Sequence, residues 1–473
     1  MKRLIVFIWL TFLPLFVSAQ DFNCFTVIAG NKATIDGSVM MAHNEDDGGE
    51  QMLNWYCVPA MSHSQEEFYH FRNGGKISLP AETNGYLWLE LPKMDVSDSY
   101  LNDKGVAIVS DGCPSKEDRK DYTDSGVVYE LREMVARQAV SARHAVEIMG
   151  ALVEKFGYAS TGRSYCVADA KEAWVVAVVQ GRHWVARRVP DDQVMVLPNA
   201  YVIDSIDLND AQNFAGSPDI ISYAMERGWY DPVRDGEFSF RRAYSDARTL
   251  ENPGNVLRAW APVCRLSGKL YGRQAVDLTF SFQPAEKISL QTLMNVLSSH
   301  YDDEPLNNQR TPSHGAKFSV CHDDTRYGTV FQLRSDMPVE IGSVAWIAPA
   351  NPCMQVFVPW YAGMNKAPSG YARYNEANEA IMKHFTDTKN FRENYPDKAF
   401  WKYFDFSEYI SKDYSNRIHQ VKKRNVRFQN KLLKQQNLFE KQMITLYHKN
   451  KKQCVEKLSE YTDRWNKKVI PTE

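Results

Sequence analysis

The chain has 473 residues, 44% of them hydrophobic, 24% charged and 12% aromatic, with a net charge of −2. This is the composition of a globular protein with a large mixed core. It excludes a disordered chain, and it offers no basic excess for nucleic acid.

Lys2 and Arg3 open the chain. An apolar run over residues 4–17 follows, broken only by Thr11 and Pro14, and Val17-Ser18-Ala19 closes it with small residues. That order predicts a signal peptide over 1–19 and an exported protein, periplasmic or extracellular. The run is too short to span a bilayer, and no later stretch is long and apolar enough for a membrane helix. No lipobox precedes Cys24, so no lipid anchor is expected there.

Strands are predicted at 24–29 and 38–44, where β-branched and aromatic residues flank a turn marked by Asp36-Gly37. Further strands are expected at 53–58, 68–71, 85–91 and 105–110. Residues 127–156 read as helix in two pieces, the second capped by Ser141 and stopped by Gly157. Closely spaced strands follow at 164–169, 172–179, 183–189 and 194–203, with Pro198 at a bend in the last. Residues 205–254 are loop-rich with helical patches. Runs of hairpins rather than a βαβ alternation predict an α+β layered fold with antiparallel sheets.

The last hundred residues differ, with no glycine after Gly370. Phe428, Leu432, Phe439, Met443, Leu446, Leu458, Tyr461 and Trp465 recur at helical spacing. From Arg417 to Glu473 there are 15 basic against 5 acidic residues. A docked helical hairpin with a solvated basic face is expected; a surface for an acidic partner is the alternative.

Eight cysteines in an exported chain suggest disulfides, yet their spacings are wide and no CxxC occurs. There is no HExxH and the 11 histidines are scattered, so no metal cluster is expected. Chemistry concentrates in the first hairpin, where Cys24 is expected to pair within two residues of His43. Its thiol would then meet an imidazole and the carboxylates of Glu45, Asp46, Asp47 and Glu50. A thiol with a pKa near 8.5 needs a base within reach. An α-amino group titrating near 7.7–8.0 is suited to that task, so a cysteine at a mature N-terminus can be activated by its own amine. Reaching that state requires loss of 1–19 and then of Gln20-Asp21-Phe22-Asn23, by attack of Cys24 on its own preceding peptide bond.

Residues 24–46, C-F-T-V-I-A-G-N-K-A-T-I-D-G-S-V-M-M-A-H-N-E-D, resemble the opening of the dipeptidase A and secernin-like cysteine peptidases, which are N-terminal-nucleophile (Ntn) hydrolases. Lys32, Ala33, Asp36, Gly37, Ser38, Asn44, Glu45 and Asp46 fit that opening. The resemblance continues through N-D-K-G-V-A-I, A-D-A-K-E-A-W, P-N-A-Y-V-I and F-Q-L-R-S-D-M-P-V-E-I-G to about Gly363. It departs at Phe25, where the family usually has Thr, and at His43, where it has Arg.

The resemblance implies a four-layer αββα sandwich over 24–365, with 366–473 as a C-terminal helical extension. It implies Cys24 as nucleophile and Asp46 as the carboxylate that orients the amine. It also implies Asn199 as an oxyanion donor and His43 as support for the nucleophile. Glu45 or Asp47 is expected to bind the substrate's amino group. The expected activity is hydrolysis of dipeptides through a thioester, with no cofactor or metal, no nucleic acid and no integral membrane segment. Homo-oligomerisation is left open. The rivals are an Ntn amidase of the bile-salt or penicillin-V type, and a non-enzymatic envelope-binding protein with Cys24 paired.

Overall fold

The computed structural model describes residues 24–471, apart from 48–50, 65, 273–278, 301–313, 315–318 and 387–389. The expected signal peptide and propeptide, and Glu50, lie outside the described residues.

The chain begins with β1 (Phe25–Ala29) and β2 (Val39–Asp46). Asp36 Oδ1 pins their connection, accepting from the backbone N–H of Ser38 at 3.2 Å and from its hydroxyl at 2.6 Å. Gly37 takes φ 76°, which a side chain would resist. Then come β3 (Asn54–Val58), β4 (Tyr86–Glu90), β5 (Ser99–Asn102) and β6 (Ala107–Gly112). Two helices follow, α1 (Glu130–Gln138) and α2 (Ala142–Phe156). The Ser141 hydroxyl caps α2 by accepting from His144 N, and Gly157 ends it at φ 79°.

Next are β7 (Tyr158–Ala168), β8 (Ala173–Gly181), β9 (Trp184–Arg188), β10 (Val194–Leu197) and β11 (Phe214–Gly216). Helices α3 (Pro253–Ser267) and α4 (Leu290–Leu297) precede β12 (Thr325–Leu333), β13 (Ser343–Pro349) and β14 (Val358–Tyr361). The chain closes with α5 (Ala399–Ser411), α6 (Tyr414–Lys449) and α7 (Lys451–Val469). β10 is shorter than the strand expected over 194–203. Pro198 has no N–H for the ladder, and the chain leaves the sheet there.

These strands form a six-stranded sheet, in the order β10-β1-β2-β12-β13-β14, and an eight-stranded sheet, β11-β9-β8-β7-β6-β5-β4-β3. Every pairing is antiparallel. Alternation along β6 shows the layering. Val109 joins the core shared with the six-stranded sheet, while Ile108 faces Met134, Val146 and Met149 of α1 and α2. On the far side of the six-stranded sheet lie α3, α4 and α7. The result is the four-layer αββα sandwich expected of an Ntn hydrolase.

The basic C-terminal helices dock rather than stand free. Leu432, Met443, Leu458, Tyr461 and Trp465 are buried, and Phe439 stacks on Tyr461 with ring centroids 3.9 Å apart. Gln429 clamps both backbone groups of Phe357, accepting from its N–H at 2.9 Å and donating to its carbonyl at 3.2 Å. Arg334, just past β12, donates to both oxygens of Glu440 on α6, at 2.7 and 2.9 Å. The pair is nearly sealed from water, so removing one partner strands the other charge. Glu440→Ala should therefore lower unfolding stability by about 3–5 kcal/mol in denaturant melts, with the lost midpoint partly restored when Arg334 is also replaced by Met.

Candidate active site

The register Phe25↔Asn44 and Thr26↔His43 places Cys24 opposite Glu45, at the end of β1 and two residues from the expected His43 pairing. Cys24, Thr26, His43 and Glu45 share the face that looks into the space between the sheets. Asn44 faces the other way, its carboxamide donating to Leu297 O at 2.9 Å and Val320 O at 3.0 Å. Gly328 stands beside Asn44 in β12, and a Cβ there would come within 2.9 Å of Asn44 Oδ1.

A buried hydrogen-bonded chain runs from the thiol to the second sheet. Cys24 Sγ donates to Glu45 Oε1 at 3.1 Å, and Glu45 Oε2 lies 3.1 Å from His43 Nε2. His43 Nδ1 is 2.9 Å from Thr26 Oγ1, and Thr26 donates to Asp111 Oδ2 on β6 at 2.6 Å. Because the Thr26 proton goes to Asp111, Thr26 accepts from the Nδ1–H of His43. His43 Nε2 is then an acceptor, and a protonated Glu45 fills it.

The electrostatics agree with that direction. Burial pushes the Glu45 carboxyl up to about 8, against the Cys24 hydrogen bond and the charges of Arg163 and Arg132. Burial also pushes Asp111 up to about 7, opposed by His43 and Thr26. Desolvation lowers His43, although Asp111 and Asp46 pull the other way, so the imidazole is neutral. The Cys24 thiol is raised well above its ordinary value, by burial first and then by Glu45, Asp111 and Asp46. The thiol is therefore held protonated.

On the other flank, continuing the β1–β10 register from Thr26↔Leu197 brings Asn199 beside Cys24. Arg258 of α3 ties the two together. It donates to Cys24 O at 3.1 Å, and its other terminal nitrogen donates to Asn199 Oδ1 at 2.9 Å and Asn255 Oδ1 at 2.8 Å. Asn252 caps α3 by accepting from Gly254 N and Asn255 N, which fixes the turn that Arg258 leaves from. Asn199 Nδ2 is a buried donor with no hydrogen-bond partner.

Asp46 is buried, and neither carboxylate oxygen makes a hydrogen bond, though Oδ2 lies 3.1 Å from His322 Nε2. Asp47 is half-buried, with its N–H donating to Asp324 O at 2.9 Å.

The structure thus brings Cys24, His43 and Glu45 together on one face and Asn199 alongside. One expected role changes. Both Glu45 oxygens are engaged, one by the thiol and one by His43, so Glu45 is not free to hold a substrate amine. Burial keeps His43 neutral, so it does not carry the charge of the arginine that the resemblance has at this position.

Sequence reasoning missed Asp111, Arg258 and His322. Asp111 left a faint signal as a carboxylate within the Val-rich strand A-I-V-S-D-G. Arg258 had only the N-P-G-N cap one turn before it.

All eight cysteines are free thiols, so no disulfide occurs in the structure. The scattered histidines are not all apart, which corrects a further expectation. His300, His314, Cys321 and Cys353 converge as the one group among the described residues able to hold a metal ion. A cavity of about 750 Å³ is lined by His300, Cys353, Gln429 and neighbours, and does not include Cys24.

The family model for peptidase family C69 matches residues 23–413. The chain is 28% identical over 363 residues to a probable dipeptidase of Salmonella dublin, covering 73% of this chain and 82% of that one. It is 26% identical over 370 residues to dipeptidase A of Lactobacillus helveticus, covering 74% and 77% respectively. Among solved structures, penicillin V acylase from Agrobacterium tumefaciens aligns over 69% of this chain and 83% of its own, at 17% identity and a TM-score of 0.34.

The raised Glu45 carboxyl has a measurable consequence. Unfolded, it titrates near 4.5; buried, near 8, so between these values the native state keeps a proton the unfolded chain has lost. Native stability then falls as pH rises. His43 opposes this only below its unfolded value of 6.5. Thermal melts should show Tm falling from pH 6.5 to about 8, with a flatter fall in Glu45→Gln. By a family match across most of its length, the chain belongs to peptidase family C69 and is a hydrolase of peptide bonds.

Proposed function

We propose that the protein is an exported cysteine-type dipeptidase whose nucleophile is Cys24 at a self-generated N-terminus. One arrangement carries the reading. A thiol at a strand end, its own carbonyl pinned by Arg258, lies beside two buried groups that make no hydrogen bond, Asn199 Nδ2 and the Asp46 carboxylate. Buried polar groups without partners are costly, and those beside a reacting centre are candidates for catalytic contacts.

Processing would proceed by attack of Cys24 Sγ on the carbonyl carbon of Asn23. The Asn23–Cys24 amide breaks, a thioester forms, and the α-amine of Cys24 is freed. Water then hydrolyses the thioester, releasing the propeptide carboxylate and restoring the thiol. The new ammonium is a partner for the Asp46 carboxylate. It also lowers the thiol, which burial and the carboxyl groups hold up.

In turnover the freed amine takes the thiol proton as sulfur attacks the dipeptide carbonyl. Asn199 Nδ2 donates to the oxyanion, and Arg258 holds Asn199 in place. The amine returns the proton to the leaving amino group. A water, activated by the same amine, hydrolyses the acyl-enzyme. Asp47 remains the candidate for the substrate's amino group, beside the cluster but not committed to the thiol. The names of the family relatives support dipeptides over longer chains.

Intact mass and N-terminal sequencing test this directly. The wild type is expected to begin at Cys24 and Cys24→Ala to retain the residues before it. The wild type should hydrolyse dipeptides and leave N-acyl amides untouched. A wild type that keeps its propeptide yet cleaves dipeptides would rule out the amine as base.

Glu45→Gln separates the two candidate bases. Glutamine reproduces the neutral carboxyl, accepting from the thiol and donating to His43. If the amine is the base, kcat/KM stays within about threefold of wild type. If Glu45 is the base, it drops by about 10²–10⁴.

A further inference from the structure

We propose that His300, His314, Cys321 and Cys353 form a structural zinc site that clamps the segment before β12 to the turn between β13 and β14. Their four ligand atoms lie within 4.8 Å of one another, and all four residues are buried. Tetrahedral zinc with bonds of about 2.0–2.3 Å separates its ligands by about 3.3–3.8 Å, so closing the set takes about 1 Å of side-chain movement.

The orientation of the two imidazoles favours a metal. His300 Nδ1 meets the Tyr414 hydroxyl at 2.9 Å, and His314 Nδ1 meets Asp323 Oδ1 at 2.5 Å and Ser411 Oγ at 3.1 Å. Each ring is thus held from behind through Nδ1, leaving Nε2 for the centre. Metal-bound histidines are oriented in this way, and the His314–Asp323 contact is the carboxylate–histidine pairing such sites use. His300 Nε2 is buried with no hydrogen-bond partner, and His314 Nε2 faces Cys321 Sγ at 3.9 Å.

Charge points the same way. Two thiolates and Zn²⁺ sum to zero, and neutral imidazoles complete the set. A neutral complex suits the apolar shell of Met354, Ile410, Ile418 and Val421 around the cysteines. Four protein ligands leave no open position, which marks the ion as structural rather than catalytic. The spacing matches no short motif, because the ligands are spread along the chain from just after α4 to just after β13. A Cys321–Cys353 disulfide is the rival in an oxidising compartment, but it would leave the converging imidazoles without a purpose.

The clamp also reaches the active site. Val320 O accepts from Asn44, His322 touches Asp46, and Asp324 O accepts from Asp47 N. A metal holding Cys321 would hold this loop against the end of β2.

Metal analysis of the full-length protein purified without chelator should find about one zinc per chain. Cys321→Ser combined with Cys353→Ser should bring it below about one tenth, with a lower Tm. Should that variant not fold, cobalt decides on the wild type. Protein stripped and reloaded with Co²⁺ should show thiolate-to-cobalt charge transfer and intense tetrahedral d–d bands. The proposal is overturned by a wild type that binds neither zinc nor cobalt stoichiometrically, by a Cys321–Cys353 disulfide in non-reducing peptide maps, or by cobalt bands that persist in the double variant. None of these readouts depends on peptidase activity.

Discussion

The hydrogen bond from Thr26 to Asp111 joins the two sheets at the end where the nucleophile sits. Its partners are 85 residues apart in sequence, and both are fully buried. A carboxylate placed there must be satisfied from the opposite sheet, so the sheets cannot slide without exposing it. Tyr327 makes a second tie, its hydroxyl 2.7 Å from Ser99 Oγ and donating to Ser97 O at 3.2 Å. Together they set the spacing within which Cys24, Glu45 and His43 can meet. The same burial that makes the site rigid makes the thiol inert until something changes its surroundings.

On the proposed mechanism, that constraint gives processing a physical purpose. Burial and nearby carboxyl groups oppose the ionisation of the thiol, and Arg258 donates to the Cys24 carbonyl. An amine created only by cleavage adds positive charge where it is missing. Under that proposal the precursor is protected from indiscriminate thiol chemistry, and activation is coupled to the event that opens the strand end. Glu45, in this view, is a neutral bridge that aims the thiol and passes the constraint to His43.

Much of this was legible in the sequence because it is local. The hairpin follows from the alternation on either side of Asp36-Gly37, and the helix pair from Ser141 and Gly157. Cys24 stood out because a cluster of ionisable residues has no structural use at a strand end. What could not be read was anything carried across the core. Asp111 and Arg258 reach Cys24's strand from 85 and 234 residues away, and periodicity encodes which face a residue lies on but not what it meets. The same limit hid the convergence of His300, His314, Cys321 and Cys353. The overlong strand at 194–203 failed for a local reason: its β-branched residues outweighed a proline that could not donate.

The C-terminal helices lie mostly past the family match, which ends at residue 413, yet they do structural work on the catalytic layers. β14 is the last strand of the six-stranded sheet, and α7 lies over it, with Thr462 Oγ1 donating to Pro359 O at 2.7 Å. An uncovered strand edge is a template for pairing with another chain. The helices therefore act as a shield against self-association, and their basic outer face adds like-charge repulsion between copies. The chain gains colloidal persistence from helices that lie outside the candidate active site.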